Sequence, residues 1–163
     1  GRWRGDMARK DDKESKTVAK KLAVFVVTFY TIYYVLSVIM TAAFDSAWKG
    51  SEGLGTYPFE HDKHLFNPGD GGAALGRWLA MVITYLAALL VNFFYVRTTR
   101  MTWDYACSTS LFHFVLSCIV TLSFPVNWIW WLTVILMTVF LWAAGDYTVY
   151  KFHDLRDIQL ENA

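Results

Sequence analysis

Reactive and charged side chains are scarce in this sequence. Its 163 residues include two cysteines and three prolines, and only 18% are charged, which leaves whole helix-lengths without a charge. The two thiols, Cys107 and Cys118, lie eleven residues apart in one apolar stretch. On a helix that spacing returns them to one face but separates them by about 16 Å, too far for a disulfide. There is no phosphate-binding glycine loop, no H-E-x-x-H pair and no G-x-S-x-G elbow. The commonest nucleotide-binding, zinc-hydrolase and serine-hydrolase chemistries therefore have no signature here, and neither an enzyme activity nor a cofactor is expected. No Asn-X-Ser/Thr acceptor occurs either, so N-glycosylation is not expected.

What the sequence has instead is apolar and aromatic mass. It is 55% hydrophobic and holds eight tryptophans, too apolar for an ordinary soluble domain. The apolar residues gather in four blocks, at about 22–44, 78–96, 103–122 and 128–150. Blocks of roughly twenty such residues can cross a hydrocarbon core of about 30 Å. A soluble bundle would need polar faces at helical spacing, and the first and fourth blocks have none. The expected fold is an all-α membrane protein with four transmembrane helices. One domain is expected: a basic segment at 1–21, a four-helix domain at 22–150 and a tail at 151–163. A hydrophilic stretch precedes the first block, which is span-length, so it reads as an uncleaved signal anchor with Met7 as a candidate start.

Lysine and arginine placement predicts the orientation. The N-terminal segment, the connection holding Arg97 and Arg100, and the tail with Lys151 and Arg156 carry twelve of the fifteen basic residues. Only Lys49, Lys63 and Arg77 fall on the other side. Both termini are therefore expected in the cytosol, and the loop at 45–77 in the lumen or outside. That loop holds seven of the ten glycines with Pro58 and Pro68, a composition that favours turns and irregular backbone. The short SFPVN turn predicts a tight hairpin of the last two spans, with Trp128, Trp130 and Trp131 at its lumenal end, where indoles anchor. The basic N-terminal segment can attract anionic lipid head groups, although Asp11, Asp12 and Glu14 weaken this. The bilayer is the expected first partner, and nothing points to nucleic acid.

A few polar residues stand out against this background. Asp104 and His113 are nine residues apart, half a turn out of phase on a helix, so they do not form a pair. His113 falls near mid-bilayer, where a polar group faces the bundle interior. It reads as an internal hydrogen-bond tie or as a proton-relay or ligand contact. Asp104, Asp146 and Asn92 come to a similar depth at the cytosolic ends of their spans, with Arg97 and Arg100 close by. They read either as helix-end stabilisers and ion pairs or as a polar rim that a partner could reach. Glu60-His61-Asp62-Lys63-His64 has ligand-type residues, but a zinc site needs about four ligands in fixed geometry, and a solvated loop is expected rather than a metal site. Phe25, Phe29, Tyr33, Leu36 and Met40 recur at helical spacing and predict a packing face, or alternatively a groove for a partner's amphipathic helix.

Six short motifs then occur in a fixed order: FYTIYY at 29–34, WDYA at 103–106, FH at 112–113, FP at 124–125, WW at 130–131 and GDY at 145–147. Together with the acidic–apolar tail at 154–160 they resemble the Sys family of Golgi four-span proteins, the first two motifs one branch of it in particular. Two departures are visible. The lumenal loop is glycine-rich, and the family's commoner Gly-Glu-Tyr appears as Gly145-Asp146-Tyr147, which keeps the charge one methylene shorter. The resemblance implies a non-enzymatic Golgi membrane receptor that recruits an Arf-like small GTPase in vesicle traffic. Asn92, Arg97, Arg100, Asp104 and Asp146 would then form the partner-binding rim. The alternatives are a structural accessory subunit packing against other membrane subunits, or a small transporter or channel using Asp104, His113 and Asp146.

Overall fold

The structure is a computed structural model, and it describes residues 15–44, 55–96, 99–149 and 151. The regular elements among these residues are all helical, joined by turns at 55–56, 60–62, 67–71 and 122–127, with no strand among them. Helix α1 runs Ser15–Phe44, a 3-10 turn follows at Tyr57–Phe59, and the one-turn α2 is Lys63–Phe66. Helix α3 is Gly72–Val91 and passes into a π-helical turn at Asn92–Val96. Helices α4 and α5 are Thr99–Thr121 and Trp128–Val149. Three segments are long and apolar enough to cross a membrane: Thr17–Phe44, Gly72–Tyr95 and Trp128–Thr148. The chain is thus a multi-pass membrane protein whose described elements are all helical.

Helix α4 has 23 residues, yet it is not among those three. The cause lies in its polar side chains. Thr102, Thr109, His113 and Ser117 are all fully buried, and at their spacing they line one face of the helix. Its opposite face carries Leu111, Val115 and Ile119, all exposed. The arrangement is inside-out relative to a soluble bundle and suits a helix whose polar atoms are hidden from lipid.

The helices extend past the expected span limits at their starts. Helix α1 begins at Ser15 rather than at residue 22, and α3 at Gly72 rather than at residue 78. In both cases the added residues continue the helix beyond the purely apolar stretch. Leu122, at φ 51°, takes the left-handed conformation that ends α4. Asn127 caps α5 by accepting the Ile129 N–H at 3.0 Å.

Apolar contact between helices gains little in lipid, because the tails are as apolar as leucine; close approach through small residues is what packs them. Helix α3 is built for this. Gly76, Ala80, Thr84 and Ala88 recur every four residues and are all buried. A Cβ added at Gly72 would meet the Phe44 carbonyl oxygen at 2.5 Å. One added at Gly76 would lie 3.0 Å from the Met40 carbonyl and 3.2 Å from the Phe44 Cβ. The end of α1 therefore rests directly on the start of α3. Further along, the predicted face of α1 packs as expected: Phe25, Phe29 and Tyr33 are buried, with Leu36 and Met40 against the same core. Phe29 meets Tyr85 edge-on at 5.2 Å and Phe25 meets Tyr105 at 5.6 Å.

Hydrogen bonds tie the other helices. The Tyr85 hydroxyl of α3 lies 2.9 Å from Ser110 Oγ of α4, which in turn lies 2.5 Å from Thr138 Oγ1 of α5. Trp78 donates through Nε1 to Thr133 Oγ1 at 3.0 Å. Such bonds add roughly 1 kcal/mol each inside a bilayer.

The packing makes a direct prediction. Gly76→Leu should lower the thermal unfolding midpoint in mild detergent, by about 1–3 kcal/mol of stability, because backbone rather than a movable side chain blocks the new atoms. Gly55→Ala, where a Cβ would meet nothing within 4 Å, should leave it nearly unchanged.

Candidate functional site

The end of the bundle away from the loop gathers three helices. Asn92 closes α3 as the next step of its four-residue stripe of small residues, and its backbone N–H still bonds to Ala88 and Leu89. Its side chain is buried against Gly145 of α5 and Thr102 of α4. A Cβ on Gly145 would collide with Asn92 Nδ2 and fall 2.7 Å from Thr102 Cγ2. Neither Asn92 Oδ1 nor Nδ2 has a hydrogen-bond partner among the described residues. A π-helical turn begins at this residue, and such turns locally widen a helix. Trp103 and Trp142 meet edge-on at 5.0 Å and join the same ends of α4 and α5.

The expected rim residues distribute unevenly around this junction. Asp104 is exposed in the first turns of α4, and Asp146 is half-buried beside Gly145. Among the described residues neither has an ion-pair partner, so the expected pairing of Asp146 with a basic neighbour is not seen there. Lys151 turns to Tyr147 instead, 5.7 Å over the ring centroid. Arg97 lies outside the described residues, and Arg100 is placed in the first turn of α4. The N-terminal segment to residue 14, loop residues 45–54 and the tail from 152 also lie outside them.

His113 occupies a separate place, on the buried face of α4, while Asp104 points outward, as their half-turn offset predicts. The expected hydrogen-bond tie takes a different form. Neither ring nitrogen has a partner among the described residues. The ring is instead stacked against Trp130 at 5.8 Å and Phe59 at 6.2 Å, with Tyr33 at 5.6 Å. It joins α1, α4, α5 and the loop by ring contact.

The loop itself differs from a solvated one. Tyr57, Pro58 and Phe59 are buried, and Phe59 inserts between Tyr30, Tyr34 and His113. Arg77 pins this turn. Its Nε lies 2.9 Å from Glu60 Oε2, its Nη1 donates to the Leu65 carbonyl at 3.1 Å, and its guanidinium sits 4.2 Å over the Tyr57 ring. The Nε–Oε2 approach is close without being an aligned hydrogen bond, so it acts as an ion pair. Burial raises the Glu60 carboxyl above its ordinary value, with Arg77 and the Thr56 hydroxyl opposing and Asp62 adding to the rise. His61 is buried, with Nε2 3.2 Å from Thr121 Oγ1 and 3.3 Å from the Ser123 carbonyl. Burial lowers its pKa, and the Asp62 carboxylate opposes this. Four of the five cluster residues thus help hold the loop, while Lys63 is exposed: Asp62 caps α2 through His64 N at 2.9 Å, and His64 faces Asp70 at 3.7 Å. Among the described residues no three His, Cys, Asp or Glu side chains gather as metal ligands would.

This helix order, with its inward polar stripe, can be set against known proteins. The family model described as "Integral membrane protein S linking to the trans Golgi network" (SYS1) matches residues 9–160. The chain belongs to the SYS1 family. Within it, the chain is similar to human transmembrane protein 244, with 27% identity over 124 residues, 72% of this chain and 85% of that protein. No solved structure matches it.

The motifs that carry the resemblance fall on contacts this SYS1-family chain uses. GDY supplies Gly145, WDYA supplies the buried Tyr105 and Ala106 next to Thr102, and WW supplies the Trp130 that stacks on His113. Sequence reasoning named Asn92 but missed its partners Gly145 and Thr102. The spacing of four from Ala88 to Asn92 marks Asn92 as a packed position, but it does not point to the residues it meets on α4 and α5.

Two outcomes follow for this chain. Gly145→Ala should cost about 1–3 kcal/mol in detergent unfolding, and Asn92→Ala should relieve part of that cost in the double variant. Strict additivity would mean that Asn92 does not rest on Gly145. For the loop latch, a histidine with a lowered folded pKa contributes fully above its ordinary 6.5 and loses that contribution as pH falls. The unfolding midpoint should therefore drop between pH 7.5 and 5.5, and His61→Gln should flatten the drop.

Proposed function

We propose that this SYS1-family chain is a non-enzymatic Golgi membrane adaptor that recruits an Arf-like small GTPase at the end of the bundle formed by Asn92, Thr102 and Gly145. The family description, which names the trans Golgi network, supports the compartment. The observation that carries the site is the buried Asn92 amide, unpartnered among the described residues, beside the exposed Asp104. A buried amide left unpaired costs about 1–3 kcal/mol, so the junction is poised to accept a partner's polar atoms. Asp104 and Asp146 supply negative charge at its edge, and Arg97 and Arg100 flank it in sequence. In this reading α4 is the fourth span. The lysine and arginine bias puts both termini and the junction in the cytosol and the latched loop in the lumen.

The rim is tested by co-purifying the GTP-bound Arf-like GTPase with the wild type, Asp104→Ala and Asp146→Ala, all confirmed at the Golgi by microscopy. Both variants should retain markedly less GTPase than the wild type. Equal capture by both removes these residues from the site. A constant set of other membrane subunits with no GTPase would favour the accessory-subunit reading instead.

A further inference from the structure

The loop end of the bundle holds a second polar feature, unrelated to the junction. A cavity of about 470 Å³ opens between the start of α2 and the turn joining α4 to α5. Asn127 lines it and is only 8% exposed. Its Oδ1 is committed to the Ile129 N–H, while its Nδ2 has no partner among the described residues. A buried donor in that state calls for an acceptor, and nothing else in this chain's described part supplies one. The exposed Lys63 adds a cation to the lining, and the N-terminus of α5 adds its partial positive charge. Asp62 contributes the one carboxylate, with Oδ1 already accepting from His64 N.

The surroundings narrow the ligand. Trp128, in the lining, is 68% exposed, the placement of an interfacial indole. Val126, beside it, is 88% exposed, and Leu122 and Phe124 on the same turn are also exposed. Apolar side chains so bare at the end of a membrane helix suit acyl chains. One cation and one carboxylate in the same lining suit a headgroup that carries both signs rather than a net anion. We propose that this cavity binds the headgroup of a zwitterionic phospholipid. Asn127 Nδ2 and Lys63 hold its phosphodiester, Asp62 and the face of Trp128 receive its ammonium, and the acyl chains run past Val126.

The experiment is native mass spectrometry of the full chain in mild detergent. It is titrated with dioleoyl phosphatidylethanolamine, with dioleoyl phosphatidylglycerol, and with glycerophosphoethanolamine, which has the headgroup without the chains. The expected result is one phosphatidylethanolamine per chain, bound more tightly than either alternative. Asn127→Asp keeps the helix cap and replaces the donor with an anionic oxygen; it should weaken binding by about tenfold or more. Lys63→Gln changes an exposed side chain, so it decides the matter if Asn127→Asp fails to fold, and it should also weaken binding. Wild-type affinity in the folded variants would overturn the proposal. Equal or tighter binding of phosphatidylglycerol would overturn the zwitterionic assignment. Glycerophosphoethanolamine binding as tightly as the lipid would overturn the lipid as its source.

Discussion

The bundle depends on how closely α1 and α3 approach each other. Inside a bilayer, apolar side chains gain little by leaving lipid for one another, so helices associate where their backbones can come close enough for dense contact. Gly72, Gly76, Ala80, Thr84 and Ala88 provide that surface along α3, and the Met40 and Phe44 carbonyls rest on its glycines. The rest follows from this seam. With α1 held there, Phe25, Phe29 and Tyr33 turn into the core against Tyr85 and Tyr105. The stripe then ends on Asn92, which carries the close packing into α4 and α5 at Thr102 and Gly145.

A second constraint is the disposal of polar atoms. Helix α4 is too polar to count as a plain apolar span, and it remains compatible with lipid because Thr102, Thr109, His113 and Ser117 all face inward. Their neighbour Ser110 is bonded across the bundle to Tyr85 and Thr138. His113 is held by rings on four sides instead. The two ends of the bundle are then distinct. One is a close three-helix junction edged by carboxylates. The other is a loop folded back, pinned by Arg77 and His61, with a partly polar cavity at its margin.

Much of this was legible in the sequence, for identifiable reasons. Apolar blocks of span length, with few or no charges, mark three of the long helices, since length and composition alone decide that reading. Helical phase separated Asp104 from His113, and the spacing of Phe25, Phe29 and Tyr33 marked the core face of α1. The loop reads as solvated because glycines and charges dominate it; Asp62, Lys63 and His64 are indeed exposed, but the buried Tyr57, Phe59, His61 and Phe66 anchor it among the described residues. The partners of His113 were out of reach for another reason. Phe59 and Trp130 are 54 and 17 residues distant from it in the chain, and only tertiary packing brings them together. The seam itself was written plainly, as two glycines four apart at Gly72 and Gly76, but it sat in a stretch read as irregular loop.

The seam is most directly tested by disulfide trapping in membranes. Cys107 and Cys118 are first replaced by serine, and Phe44→Cys is combined with Gly76→Cys. A Cβ at Gly76 would lie 3.2 Å from the Phe44 Cβ, a little inside the separation that a disulfide bridges, so a shift of the Met40 carbonyl far smaller than leucine would demand admits the bond. The account predicts rapid, nearly complete cross-linking under mild oxidation, and little when Phe44→Cys is paired with Leu75→Cys. Failure of the first pair with efficient cross-linking of the second would contradict it.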